Sequence, residues 1–203
     1  MTAIEVFADL SCPFTHVGLR RLVELRASLG RPDVQLRVRA WPLEIVNGQP
    51  LDRDFIAEEV EDIRKQVAPD LFQGFSPSAF PATSLPALAL AAAAYGRDLD
   101  TGERVSLALR DLLFEQGVDI ADIAVLRGLA TEHGVEFDPT DKRAVLDDHA
   151  EGVERGVIGS PHFFTPAGGF FCPALEVHRG ADGHLQITAD LDGFEQFAAS
   201  CFA

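Results

Sequence analysis

The chain has no paired-cysteine motif: its three cysteines stand far apart at 12, 172 and 201. That odd, scattered set excludes a disulfide framework and suits a reducing compartment, so a cytoplasmic protein is expected. Zinc binding by these cysteines and the histidines fails on spacing, because no Cys-x-x-Cys and no His-x-x-x-His pair supplies two ligands from one turn. Basic residues are also scarce, 17 against 32 acidic ones for a net charge of −15. Nucleic acid and anionic membrane surfaces are therefore poor partners. Long apolar runs are missing. The most apolar stretch, Leu85 to Tyr95, falls far short of the roughly 20 residues a membrane span needs. Met1 to Glu5 offers no basic region ahead of an apolar core, so no secretory signal is expected. No glycine-rich phosphate loop follows the first strand pattern, and no tightly bound cofactor is expected.

What is present is globular. With 203 residues, 47 % hydrophobic and 24 % charged, the chain can bury one core, with or without a large insertion. Ile4, Val6 and Ala8 alternate with Glu5, Phe7 and Asp9 as a strand, and Phe14, Gly18, Leu22, Leu25 and Leu29 then recur at helical spacing. Cys12 thus stands where a strand hands over to a helix, with Pro13 at the first helical position. A cysteine elsewhere is usually a small apolar filler. Here the unpaired N–H groups and the positive end of the helix dipole favour a thiolate, so an acidified, reactive Cys12 is expected.

Gly30 to Asp33 breaks the helix, and Val34 to Trp41 alternates again, completing a βαβ unit. Trp41 reads as a core cap at the strand end rather than a ligand-stacking ring. From Asp52 to about Arg155 the pattern is helical. One helix spans Asp54 to Val67, its Glu58 to Asp62 cluster read as a solvated face. An irregular Pro69 to Pro86 segment follows. Thr83 or Ser84 then caps an apolar helix to Tyr95, Thr101 opens another to Gly117, Asp119 a third to Gly134, and a fourth runs from about Thr140 to Arg155. The strand signal returns at His162 to Thr165, turns at Pro166 to Gly169, and continues through Phe170 to Cys172. Leu175 to Arg179, a turn over 180–183, Leu185 to Thr188 and a terminal helix from Asp190 to Phe202 complete the chain, with Cys201 on that helix's core face.

In this order Cys12-Pro13-Phe14-Thr15 resembles the Cys-Pro-x-Cys site of the DsbA family of the thioredoxin superfamily. The run from Gly156 and Val157 through Gly159, Ser160 and Pro161 to Phe163 resembles that family's Gly-Val-x-Gly-Val-Pro-x-Phe segment. Phe114 to Ile120, continuing through Leu126, is similar to the insertion of the FrnE-like branch, which includes kappa-class glutathione transferases and 2-hydroxychromene-2-carboxylate isomerases. The resemblance implies an α/β, thioredoxin-like fold with a large all-helical insertion: residues 1–50 and 156–203 form its two halves and 51–155 the insertion. It also implies a cis bond between Ser160 and Pro161 beside the Cys12 sulfur, where the Ser160 backbone pairs with an extended thiol-bearing substrate.

The departure is Thr15, which stands where a second cysteine would resolve a mixed disulfide. Its hydroxyl can still donate to a Cys12 thiolate. Resolution then falls to an external thiol, such as glutathione or another low-molecular-weight thiol used as co-substrate, or to Cys172, the candidate resolving thiol within the chain. A hairpin turning at Pro166 to Gly169 sets Cys172 opposite His162, about two strand spacings or 10 Å from Cys12, beyond direct bridging without movement. Pro13 and Phe14 beside the sulfur, and His16 and His162 as proton donors or bases, complete the expected substrate-binding set. The bland alternatives for both histidines are surface or satisfied-core positions.

Three functions fit. The first is a monothiol thiol-disulfide oxidoreductase acting through Cys12 on a thiol- or disulfide-bearing small molecule or protein. The second is a glutathione-type transferase or isomerase in which Thr15 or Ser11 holds a cofactor's thiolate. The third is a non-catalytic thioredoxin-fold binding protein. A homo-oligomer is left open.

Overall fold

A computed structural model describes residues 2–180 and 184–202. The central sheet has the order β2-β1-β3-β4. It begins with β1 (Thr2–Ala8), followed by α1 (Pro13–Ser28) and β2 (Val34–Ala40), which lies parallel to β1 in the register Val6 to Val38. Alternation explains this sheet: Val34, Leu36, Val38 and Ala40 are buried while Arg37 points to solvent. Each fully buried aliphatic side chain contributes roughly 1.5–3 kcal/mol.

Between β2 and the next strand lie a short α2 (Leu43–Val46), α3 (Arg53–Gln66), α4 (Leu85–Arg97), α5 (Leu99–Phe114), α6 (Ile123–His133) and α7 (Arg143–Glu154). A single 3₁₀ turn, Pro77–Ala79, interrupts the irregular segment. The chain then returns to the sheet as β3 (His162–Thr165) and β4 (Gly168–Phe171), both antiparallel to their neighbours. β5 (Leu175–Arg179) and β6 (Leu185–Ala189) pair as a separate two-stranded sheet, and α8 (Leu191–Phe202) ends the fold. Of the expected turn over 180–183, residues 181–183 lie outside the described residues.

Several sequence expectations move. Asp98, not Thr101, caps α5, its carboxylate accepting the Thr101 N–H at 2.7 Å. Asp122 replaces Asp119 as the cap of α6, because Asp119 accepts from Ala121 in a preceding turn. The acidic run of α3 is not wholly solvated: Asp62 accepts the Leu185 N–H at 2.9 Å and Glu59 lies 3.6 Å from Arg179. Unpaired strand N–H groups of β6 need acceptors, and α3 supplies them through Asp62 and Gln66. The hairpin between β3 and β4 turns on Pro166 and Ala167 alone, so Phe171 pairs with His162 and Cys172 falls one place beyond. Trp41 is buried at the sheet end beside Phe7 and Val157, and Cys201 is buried among Phe163, Phe197 and Leu22.

Candidate active site

The site is built at the end of β1. Asp9 breaks the strand by an Asx turn, its Oδ1 accepting the Ser11 N–H at 2.7 Å. Its Oδ2 accepts the Leu43 N–H at 2.7 Å and the Ser84 hydroxyl at 3.0 Å, which ties the turn to the starts of α2 and α4. Cys12 then occupies the N-cap of α1, Pro13 follows it at the first helical position, and the His16 N–H closes the first turn on Cys12 O at 3.2 Å. The second wall arrives 148 residues later. The Ser160–Pro161 peptide bond is cis, and the Cys12 Sγ donates to Ser160 O at 3.2 Å.

A chain of hydroxyls completes this wall. Asp9 N–H donates to Ser160 Oγ at 3.0 Å, and Ser160 Oγ lies 2.8 Å from Thr15 Oγ1. Ser160 Oγ accepts the Asp9 N–H and pairs with the Thr15 hydroxyl, which sets two hydroxyls beside the sulfur. Thr15 is fully buried, so it faces the site and not solvent.

Burial changes the expected acidity. Cys12 is only 4 % exposed, and burial pushes its thiol up, against the lowering effect of hydrogen bonds from Thr15 and Ser160, while the Asp9 charge adds to the rise. The helix N-terminus was expected to make an acidic thiol. Desolvation works against it, because a thiolate loses stability on leaving water. The thiol is therefore the resting form, and it spends its proton on the Ser160 carbonyl.

The remaining candidates divide. Phe14 is half-buried and packs on the main core beside the site. His16 is fully buried, with its Nε2 2.7 Å from Glu115 Oε1 and its ring between Phe72 and Phe114. Burial pushes its pKa down despite Glu115. It is engaged by the insertion rather than by Cys12. His162 stacks on Phe164 with ring centres 4.8 Å apart, and its Nδ1 accepts the Ile158 N–H at 3.3 Å. Strand alternation turns it to the face opposite Phe163, which packs on Phe197. Cys172 donates its N–H to Pro161 O at 3.0 Å and has φ 44°, an αL conformation uncommon outside glycine. Burial, with the Cys12 charge second, pushes its thiol up to about 12.

Sequence reasoning missed two buried groups, Asp9 and Arg110. Asp9 looked like an outward strand position; its place three residues before Cys12 at a strand end was the available signal. Arg110, on α5, lies in a helix with no motif and donates through Nη2 to Asp9 O at 3.1 Å. Only the fold brings it there.

No helix among the described residues is long and apolar enough to cross a membrane, and no group of three or more potential metal ligands gathers among them. No curated protein matches the chain. Among solved structures it is similar to the cytosolic disulfide reductase DsbM from Pseudomonas aeruginosa, at 17 % identity over 97 % of each chain with a TM-score of 0.62. It is also similar to a putative protein disulfide isomerase from Nitrosomonas europaea, at 17 % identity over 97 % of this chain and 95 % of that one, TM-score 0.63. A 2-hydroxychromene-2-carboxylate isomerase matches at 14 % identity over 84 % of this chain and 88 % of its own, TM-score 0.60. These likenesses establish the fold. The family model of the DSBA-like thioredoxin domain matches residues 3–182, and the chain belongs to that family.

Proposed function

We propose that the protein is a thiol-disulfide oxidoreductase working with a single active-site cysteine, Cys12, in the cytoplasm, where three unpaired thiols remain reduced. The observation that carries this reading is the position of Cys12 Sγ at the start of α1, 3.2 Å from Ser160 O. A sulfur held between a helix N-terminus and a returning strand meets an extended substrate lying beside Ser160, with Pro13 and Phe14 on the helix side and His162 beyond Pro161.

In the first step the Cys12 thiol releases its proton to solvent and the thiolate attacks one sulfur of R–S–S–R′. The Cys12–S–S–R bond forms, the S–S bond of the substrate breaks, and R′–S⁻ leaves and takes up a proton. The Thr15–Ser160 hydroxyl pair stabilises the thiolate before attack and again when it is the leaving group. Thr15 has no sulfur, so a low-molecular-weight thiol such as glutathione enters as its thiolate, bonds to the R sulfur and releases Cys12–S⁻. Cys172 is a weak competitor, since a thiol pushed up to about 12 is almost wholly protonated near neutral pH.

The test is intact-mass analysis after adding oxidised glutathione. One adduct per chain, mapped to Cys12 and removed by reduced glutathione, is expected; absence of that adduct, or an adduct on Cys172 alone, overturns the reading. A second reading is favoured by the neutral Cys12 and the Thr15–Ser160 hydroxyl pair: a transferase or isomerase whose reacting thiolate belongs to bound glutathione. DsbM has been solved with GSH. Under this second reading, Cys12→Ser retains calorimetric binding of reduced glutathione; under the first, Cys12→Ser loses all disulfide exchange.

A further inference from the structure

Arg110 is a charge without an evident structural purpose. It is 1 % exposed, the largest fully buried side chain of the protein. One nitrogen, Nη2, donates to Asp9 O, while Nε and Nη1 have no hydrogen-bond partner among the described residues. A guanidinium has five N–H donors, and burying it with most of them unspent is costly unless its charge is compensated. The Asp9 carboxylate, whose oxygens accept from Ser11, Leu43 and Ser84, makes no hydrogen bond to the guanidinium and acts on it through its charge alone.

The position of the guanidinium suggests what it serves. Asp9 receives Arg110 on its carbonyl and gives its own N–H to Ser160 Oγ, the hydroxyl that reaches Thr15. The cation therefore abuts the turn that carries Ser11 and Cys12, on the side away from solvent. We propose that Arg110 is the positioning cation of the site, a permanent buried charge that balances the negative charge on Cys12 when its thiol ionises. The inference rests on Cys12 being the reacting sulfur, and it identifies what makes a desolvated thiolate affordable there. Opposite charges in a dry site act strongly over several ångströms, and a guanidinium cannot escape by giving up its proton at working pH: burial pushes it down only to about 10, with the Asp9 and then the Cys12 charges opposing the fall.

The groups that face this pair come from five places. Asp9 on the β1–α1 turn and Cys172 after β4 act on Cys12, while Tyr95 of α4, Asp111 of α5 and His16 of α1 share the field of Arg110. Asp9 opposes ionisation of the sulfur, and Arg110 is the opposite charge on which the Cys12 charge acts.

The experiment is the pH profile of Cys12 alkylation by iodoacetamide, resolved by peptide mass so that Cys172 and Cys201 do not contribute. Arg110→Met, folded by circular dichroism, is expected to move the inflection upward by about one to three units, with alkylation below it slowed about tenfold per unit. Arg110→Lys keeps a charge and should restore most of the difference. Ser106→Asp is read alongside, because the unpartnered, buried Ser106 Oγ lines the same small void as the guanidinium. A carboxylate there occupies the free donors with Arg110 still in place, and the inflection should rise again. An unchanged inflection in either folded variant overturns the proposal. The profile reports ionisation and not turnover, so it can fail while the oxidised-glutathione adduct forms, or succeed while that adduct is absent.

Discussion

Glu115 holds the helical insertion to the helix that Cys12 caps, and its removal is a quantitative test of that joint. One carboxylate accepts the His16 ring at 2.7 Å and the backbone N–H groups of Phe72 at 2.8 Å and Gln73 at 3.1 Å. Phe72 has φ 60°, a left-handed conformation unfavourable for a bulky residue, so these bonds also hold a strained turn in place. Glu115→Ala leaves three donors without an acceptor. At roughly 1–3 kcal/mol for each buried group, reduced where water enters, the loss should be about 3 kcal/mol. Glu115→Gln keeps an acceptor oxygen but loses the charge, and about 1 kcal/mol is expected. Urea titration with a shared m-value measures both. The same carboxylate is held down to about 2, with hydrogen bonds from His16, Phe72 and Gln73 overcoming the opposing effect of burial. Its folded value lies below its unfolded one, so its contribution is complete above about pH 4.5 and is lost as pH falls toward 2. Glu115→Ala should therefore flatten the acid limb of the stability curve. A loss below about 0.5 kcal/mol, well under one buried hydrogen bond, would refute the joint.

Three other outcomes are expected. Thr15→Cys places a second sulfur one helical turn from Cys12, and mild oxidation should then remove two hydrogens by mass and block Cys12 from alkylation; a persistently free thiol pair would place the two side chains on different faces. Gly102→Ala drives a Cβ into the Tyr95 ring and should destabilise by about 1–3 kcal/mol. Gly96→Ala, with nothing within 4 Å of the new Cβ, should stabilise α4 by about 0.5–1 kcal/mol; thermal melts that rank the two the other way would contradict the packing. Glu59 is pushed up to about 7 by burial, with the Arg179 charge opposing and Asp62 adding to the rise. Since its folded value exceeds its unfolded one, it disfavours folding progressively as pH rises from about 4.5 to 7. Glu59→Gln should be more stable than the parent at pH 8 and lose that advantage below pH 4.5, and equal urea midpoints at both pH values would exclude this.

Much of the fold is legible before any coordinates. Alternation in residues 4–8 and 34–40, the helical spacing after Pro13, and the glycine and proline breaks depend on neighbours in sequence, and they recover the βαβ opening, the helical stretch and the returning hairpin. Cap positions were read less well. Asp98 and Thr101, like Asp122 and Asp119, are all good helix openers, and tertiary packing chose which backbone turned. The hairpin register slipped by one because Pro166 and Ala167 suffice for the turn, and that moved Cys172 from opposite His162 to opposite Pro161.

At the site the division is sharper. Sequence alone determined that Cys12 starts a helix after a strand, that Pro13 follows it and that Thr15 cannot resolve a disulfide, since each is a matter of residue type and local conformation. The family resemblance already set Ser160 beside that sulfur, but tertiary structure alone decided that Asp9 anchors the turn through α2 and α4, that His16 is claimed by Glu115, and that Arg110 stands beneath the turn. It also sets burial against the acidity expected of Cys12, because a helix dipole is local to one element, whereas desolvation is imposed by every element packed around it.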